Sequence, residues 1–359
     1  MHLVVAGVLL TASMTATSVR HVQEAAARVK SAGGLVTPIL RSRWLDEQVG
    51  CALHLKAEHL QVTGSFKFRG AANAVGLLDA EEARRGVVAH SSGNHGAAVA
   101  AAAKARGDVP CTVVVPNVTP ASKVANMERY GARVVLCEPT QKSRTETADA
   151  IASETGATFV HPYNDARVLA GQGTIGLELV EQLAAQDGPG LDAVLVAVSG
   201  GGMIGGIALA IKALRPDVRV IACEPAGKEL QSALAARSRV PPSMQSGARS
   251  SLVDAPIDTI ADAIRTRCLG PLTWDVASPL LDEVVLTVDD AMIRDAMDIC
   301  LTETKQLLEP AGALTVAAAL SPAFRAIVEE EGLTNVAAVL CGGNIDVADF
   351  VAQTDAASA

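Results

Sequence analysis

Short apolar runs alternate with alanine-rich stretches of helical period along almost the whole chain. Gly86–Ala89, Cys111–Val115, Arg133–Cys137 and Thr158–His161 are brief, β-branched or apolar, and read as strands. Residues 94–106, 120–130 and 143–156 lie between them and carry the spacing of amphipathic helices. Strand and helix in alternation predict a parallel sheet with right-handed crossovers. A second series follows, with strands at Ala193–Val198, Val218–Cys223, Glu283–Val288 and Val336–Cys341 and helices near 172–187, 203–215, 289–308 and 311–321. The expected architecture is α/β, with two open parallel-sheet lobes. The smaller lobe, residues 81–164, is inserted in a larger one made of 18–80 and 165–359.

The ends of the chain read differently. Val4–Leu10 is apolar but follows no Lys or Arg and is too short to span a bilayer, so residues 1–17 are expected to form a loose extension. No transmembrane segment is expected. Ser18 is placed to cap a helix over Val19–Lys30. Val240–Ser251, rich in Pro, Ser and Gly, reads as an exposed loop, and the chain ends too soon after Asn344 for a C-terminal regulatory domain.

Composition narrows the picture. Of 359 residues 49% are hydrophobic but only 3% aromatic, so the core is expected to be Ala, Val, Leu and Ile, with both sheet faces covered. A net charge of −9 without a basic block argues against a nucleic-acid partner. Seven scattered cysteines without CxxC spacing point to a reducing, cytoplasmic setting and no structural zinc.

Four segments carry candidate chemistry. Thr63-Gly64-Ser65-Phe66-Lys67-Phe68-Arg69-Gly70 places one lysine in a small, glycine-bounded turn, where desolvation would free its amine as a nucleophile. Ser91-Ser92-Gly93-Asn94-His95-Gly96 lies between a strand and a helix, where main-chain N–H groups can cradle a carboxylate. Simple helix capping explains that segment equally well. Ser199-Gly200-Gly201-Gly202-Met203-Ile204-Gly205-Gly206 follows a strand and opens a helix, as a phosphate cradle does. Gly200, Gly202 and Gly205 also satisfy G-x-G-x-x-G, with Glu224 at the distance of a ribose-binding acid, so a nicotinamide-dinucleotide oxidoreductase is a rival reading. Cys341-Gly342-Gly343-Asn344 ends an apolar strand, where a thiol could face a ring nitrogen or serve only as core.

These segments, with Ala170–Thr174 and Glu309–Gly312, stand in matching order from about residue 18 to 350. The chain resembles the fold-type II pyridoxal-phosphate enzymes, which are tryptophan synthase β-like, and within them the serine/threonine dehydratase and serine racemase group. The resemblance implies that Lys67 carries the cofactor and acts as base at the substrate Cα. Phe66 would pack near the ring and Asn94 would meet its 3-hydroxyl. Ser199, Gly200, Gly201, Gly202 and Met203 would hold the phosphate, and Cys341 would face the ring nitrogen. Ser91, Ser92, Gly93, Asn94 and His95 would bind the carboxylate of a small amino acid, with Ser92 where racemases carry the opposite-face base. Arg144 and Thr266 fall where racemases contact the side chain, so Arg144 could hold a second carboxylate. Its other reading is a solvated helix arginine.

The departures from the group's pattern matter. Ser199 replaces the first of four glycines, and Ala263 stands where glycine is common. The racemase-type metal site would need an acid at Leu230, so no metal is expected, and Val62 replaces a lysine tied to nucleotide activation. The expectation is therefore an ammonia-lyase acting on L-serine, L-threonine or a related 3-hydroxy amino acid, with serine racemase as the alternative. A homodimer follows from the resemblance alone.

Overall fold

Ten strands, β1 Ile39–Leu40, β2 Ala52–Lys56, β3 Val87–His90, β4 Cys111–Pro116, β5 Arg133–Cys137, β6 Thr158–Phe159, β7 Ala193–Ala197, β8 Arg219–Pro225, β9 Val285–Val288 and β10 Asn335–Val339, make two sheets. They are seen in a computed structural model that describes residues 17–185, 190–246, 250 and 252–355. The larger sheet runs β1-β2-β10-β7-β8-β9 and the smaller β5-β4-β3-β6. All pairings are parallel except that of β1 with β2. The smaller sheet is thus built entirely from chain lying between strands of the larger one, which bears out the expected α/β architecture.

β7 reads Ala-Val-Leu-Val-Ala, and all five residues are buried. A strand with no polar face needs cover on both sides. The helices Gly202–Leu214 and Pro310–Leu320, themselves almost wholly buried, pack against this sheet. The helix Lys67–Gly76 shares one apolar core with Asn94–Ala105, joining Phe68, Ala71 and Val75 to Ala97, Val99 and Ala103. That core also takes in Val87, Ala89, Val113 and Val115, so the lysine helix is packed against the smaller sheet.

Several boundaries differ from expectation. The helix expected near 172–187 begins at Ala166, because Asp165 caps it by accepting from the Arg167 N–H at 2.8 Å. Residues 186 and 187 lie outside the described residues. Ala170–Thr174 is consequently helix interior, and its glycines serve close helix packing. A Cβ on Gly171 would lie 2.4 Å from the Arg69 carbonyl oxygen, and one on Gly173 2.8 Å from that of Gly206. The helix expected over 289–308 stops at Ile299 and widens into a looser turn over Cys300–Thr304, ended by left-handed Lys305. Residues after it run extended to deliver Glu309. The last strand ends at Val339 rather than Cys341; Leu340 bonds to Lys56 and His59, and from Cys341 onward the chain pairs with the lysine loop. Of the expected loop Val240–Ser251, Pro242–Met244 forms a helical turn, and 247–249 and 251 are outside the described residues, as are 1–16 of the expected N-terminal extension. A helix over Val347–Asp355 follows Asn344.

Candidate active site

In both sheets the chemical segments sit just past the C-terminal ends of parallel strands, where open α/β sheets place ligands. Ser91–Asn94 follows β3, Ser199–Gly202 follows β7, and Cys341–Asn344 follows β10. The lysine loop is stitched to the last of these. Ser65 bridges Gly342, the Phe66 N–H donates to the Cys341 carbonyl at 3.1 Å, and the Gly343 N–H donates to the Gly64 carbonyl at 3.0 Å. Thr63 is held at φ +67°, a costly value for a β-branched residue, and its carbonyl accepts from the Asn344 amide at 2.7 Å.

Lys67 begins the helix Lys67–Gly76, and its amine donates to the Pro162 carbonyl at 2.8 Å, 5.0 Å from the centre of the Phe66 ring. Burial disfavours the ammonium and pulls its pKa down to about 8, against the opposing pull of Cys341 and Glu309.

Asn94 is gripped from two sides. Its amide N–H donates to Glu309 Oε1 at 2.7 Å, and its carbonyl accepts from the Asn344 amide at 2.7 Å. Glu309 is buried, which lifts its carboxyl to about 7, with Asp262 adding to the rise. Sequence reading gave neither Glu309 nor Asn344 a role, because their partners lie more than 200 positions away. The prolines and glycines around them were the only local signal.

A signed prediction follows. Glu309→Gln keeps an acceptor for Asn94 and removes the charge that favours the Lys67 ammonium. The pH midpoint for reaction of Lys67 with an aldehyde should therefore move below 8, measured on apoenzyme. An unmoved midpoint would mean that the carboxyl is not felt at the amine.

The other expected site residues divide. Ser91 Oγ accepts from the Gly93 N–H at 3.3 Å, and Ser92 is half-buried in the same turn before Asn94. The ring of His95 faces inward, with Nε2 2.8 Å from the Val160 carbonyl; burial drives its pKa to about 3. The ring is thus committed to main chain, and any part His95 takes in binding a carboxylate falls to its own main-chain N–H. Arg144 stands at the start of the helix Gln141–Thr155, close enough to depress the His90 pKa beyond the lowering by burial. The Cys341 thiol, pushed up by burial, donates to the Ala311 carbonyl at 3.1 Å.

The glycine loop fits a phosphate. Gly201 holds φ +91°, and the helix Gly202–Leu214 begins there, so its first N–H groups lack intrahelical partners. A Cβ on Gly200 would sit 2.4 Å from the Tyr163 ring, and one on Gly202 3.0 Å from Tyr163 Cα, so side chains are excluded. Glu224, by contrast, is unsuited to a ribose. Its buried carboxylate accepts from the Leu230 N–H at 3.0 Å and the Thr287 hydroxyl at 3.2 Å. Gly205 lies inside the helix against Leu169. The dinucleotide reading is set aside on those contacts.

An activated lysine, an anion-binding glycine turn and a buried carboxyl–amide pair define an enzyme that works through an aldehyde cofactor bearing a phosphate. Residues 30–342 match the family described as pyridoxal-phosphate dependent enzyme, and the chain belongs to that family. It is 45% identical over 312 residues to serine racemase of Arabidopsis thaliana, covering 87% of this chain and 88% of that one. It is 40% identical over 311 residues to beta-hydroxyaspartate dehydratase of Paracoccus denitrificans, covering 87% and 91%. Among solved structures, that of maize serine racemase superposes with a TM-score of 0.85 at 38% identity, covering 95% of this chain and 98% of that one. Pyridoxal 5'-phosphate is thus the cofactor; bound, it supplies an electron sink for charge left at the substrate Cα.

Proposed function

We propose that the chain is an amino-acid racemase acting on serine, with α,β-elimination to a 2-oxo acid and ammonia as a side reaction. The observation carrying this reading is the similarity to serine racemases along nearly the whole chain, which favours the racemase alternative over the lyase expected first. The residues can be given matching roles. Lys67, with its lowered pKa, takes or returns the α-proton on one face. Ser92, in the turn before Asn94, serves the other face. The Ser91–Asn94 turn holds the carboxylate through helix N-terminal N–H groups, and Glu309 and Asn344 keep Asn94 in place. The Ser199–Met203 turn holds the cofactor phosphate, and Cys341 faces the ring nitrogen. The lobes divide as residues 81–164 against 18–80 and 165–359, and the protein works as a cytoplasmic homodimer.

Purified holoenzyme given L-serine should form D-serine faster than pyruvate; pyruvate with no D-serine would overturn the racemase reading. Ser92→Ala should then cut D-serine formation by about 10²-fold while leaving elimination from L-serine in place. Equal loss of both products would remove Ser92 from the role of second base.

A second reading rests on Arg144, whose buried Nε has no hydrogen-bond partner among the described residues. A guanidinium with an unpartnered Nε–H fits a substrate with a second carboxylate, and the dehydratase of Paracoccus denitrificans is named for such a compound. Turnover of 3-hydroxyaspartate to a 2-oxo acid well above that of serine, lost in Arg144→Met, would establish it.

A further inference from the structure

Lys228 is 1% exposed and lies just after β8. Among the described residues its hydrogen bonds go to neither the lysine loop nor the substrate turn. Its ammonium donates to three main-chain carbonyls, those of Ser199 at 2.9 Å, Thr266 at 2.6 Å and Arg267 at 2.8 Å. Three converging carbonyls are a cation's surroundings. An ammonium has three N–H bonds and fills all three acceptors, whereas the neutral amine has two and would leave one carbonyl unpaired. Burial lowers the lysine's pKa, and the nearby Glu224 carboxylate opposes that pull.

One of those carbonyls belongs to the phosphate turn. In a trans peptide the C=O and the following N–H point in opposite directions, so anchoring one aims the other. The Ser199 carbonyl is held by Lys228. The Gly200 carbonyl accepts from the Gly270 N–H at 3.1 Å and the Thr273 hydroxyl at 2.6 Å, and the Gly201 carbonyl accepts from the Gly205 N–H at 2.9 Å. Three consecutive carbonyls are thereby turned away from the side on which the N–H groups of Gly200, Gly201 and Gly202 must meet an anion. The first anchor is the charge-assisted one.

We propose that Lys228 is a positioning residue for the cofactor phosphate, a tethered cation that clamps the Ser199 turn to the Thr266–Arg267 segment and aims its N–H groups. This rests on the cofactor alone and not on the racemase reading, and its test reads no turnover. Apoenzyme carrying Lys228→Ala should bind pyridoxal phosphate roughly 10- to 100-fold more weakly than the parent protein. Its affinity for pyridoxal, which lacks the phosphate, should stay within about twofold of the parent's. A lysine that only stabilises the fold would weaken both aldehydes alike, and that result overturns the proposal, as does unchanged affinity for pyridoxal phosphate. Ammonium or potassium ions should restore part of the loss by entering the vacated carbonyl cage, and no restoration by either overturns the cation assignment. Should Lys228→Ala not fold, Lys228→Gln, one atom shorter and keeping two N–H bonds without charge, carries the same two-aldehyde comparison.

Discussion

Lys67→Ala is expected to lower turnover by about 10³-fold or more with the fold intact, because one amine both anchors the cofactor and moves the α-proton. The lost bond to the Pro162 carbonyl is a single contact, worth about 1 kcal/mol, so thermal unfolding should change little. The variant should still gather the cofactor through the phosphate turn but lose the visible absorbance of the lysine-bound form. Retained absorbance would place the anchor on another amine. The pH dependence has a definite sign. With a pKa of about 8, the amine is mostly protonated at neutral pH, and its reactive fraction grows as pH rises through that value. Cofactor uptake by apoenzyme should therefore climb by about tenfold per unit below pH 8 and level above it. A rate still climbing past pH 10 would show an ordinary exposed lysine instead.

The fold was readable because its strands are short apolar runs bounded by glycine turns. The same periodicity could not show where helices stop when the stop depends on distant partners. Lys305 turns left-handed and frees an extended segment that carries Glu309 to Asn94, and no local residue announces this. The cofactor was legible because four glycine-rich segments recur in order. Much of the detail around it was not. Glycines 171, 173 and 206 permit close contact between helices, and the His95 ring bonds to main chain, and neither use is displayed locally. In each case the sequence displays a residue's capability, while the choice among its uses is made by a contact far along the chain. Lys228 is the extreme case: an unremarkable lysine in the sequence, it meets carbonyls 29 to 39 positions away.

Arg69→Met is expected to cost about 3–5 kcal/mol of unfolding free energy, read from urea titration, although Arg69 touches no reacting group. Arg69 and Glu58 are both 0% exposed and form two parallel bonds, Nε to Oε2 at 2.7 Å and Nη2 to Oε1 at 2.8 Å. Arg69 also donates to Glu178 at 2.6 and 2.8 Å, and Lys56 completes the group by donating to Glu178 at 2.6 Å. Two cations thus face two carboxylates in a dry setting. Removing one cation leaves Glu58 buried with only the field of Lys56, whereas removing a cation and a carboxylate together restores neutrality. Arg69→Met with Glu58→Leu should therefore recover more than half of the loss, and simple additivity of the two changes would refute the charge argument. The sign of the pH response separates the cases further. In the parent protein, burial would raise the Glu58 pKa, but Arg69 more than offsets this and holds it below the usual range. Its share of stability is then present above the unfolded value of about 4.3 and fades as pH falls through the folded one. In Arg69→Met burial prevails, the folded pKa rises above the unfolded value, and the variant should lose stability as pH rises from about 5. A variant whose stability still falls on acidification in that window would show that another group, and not Glu58, carries the unpaired charge.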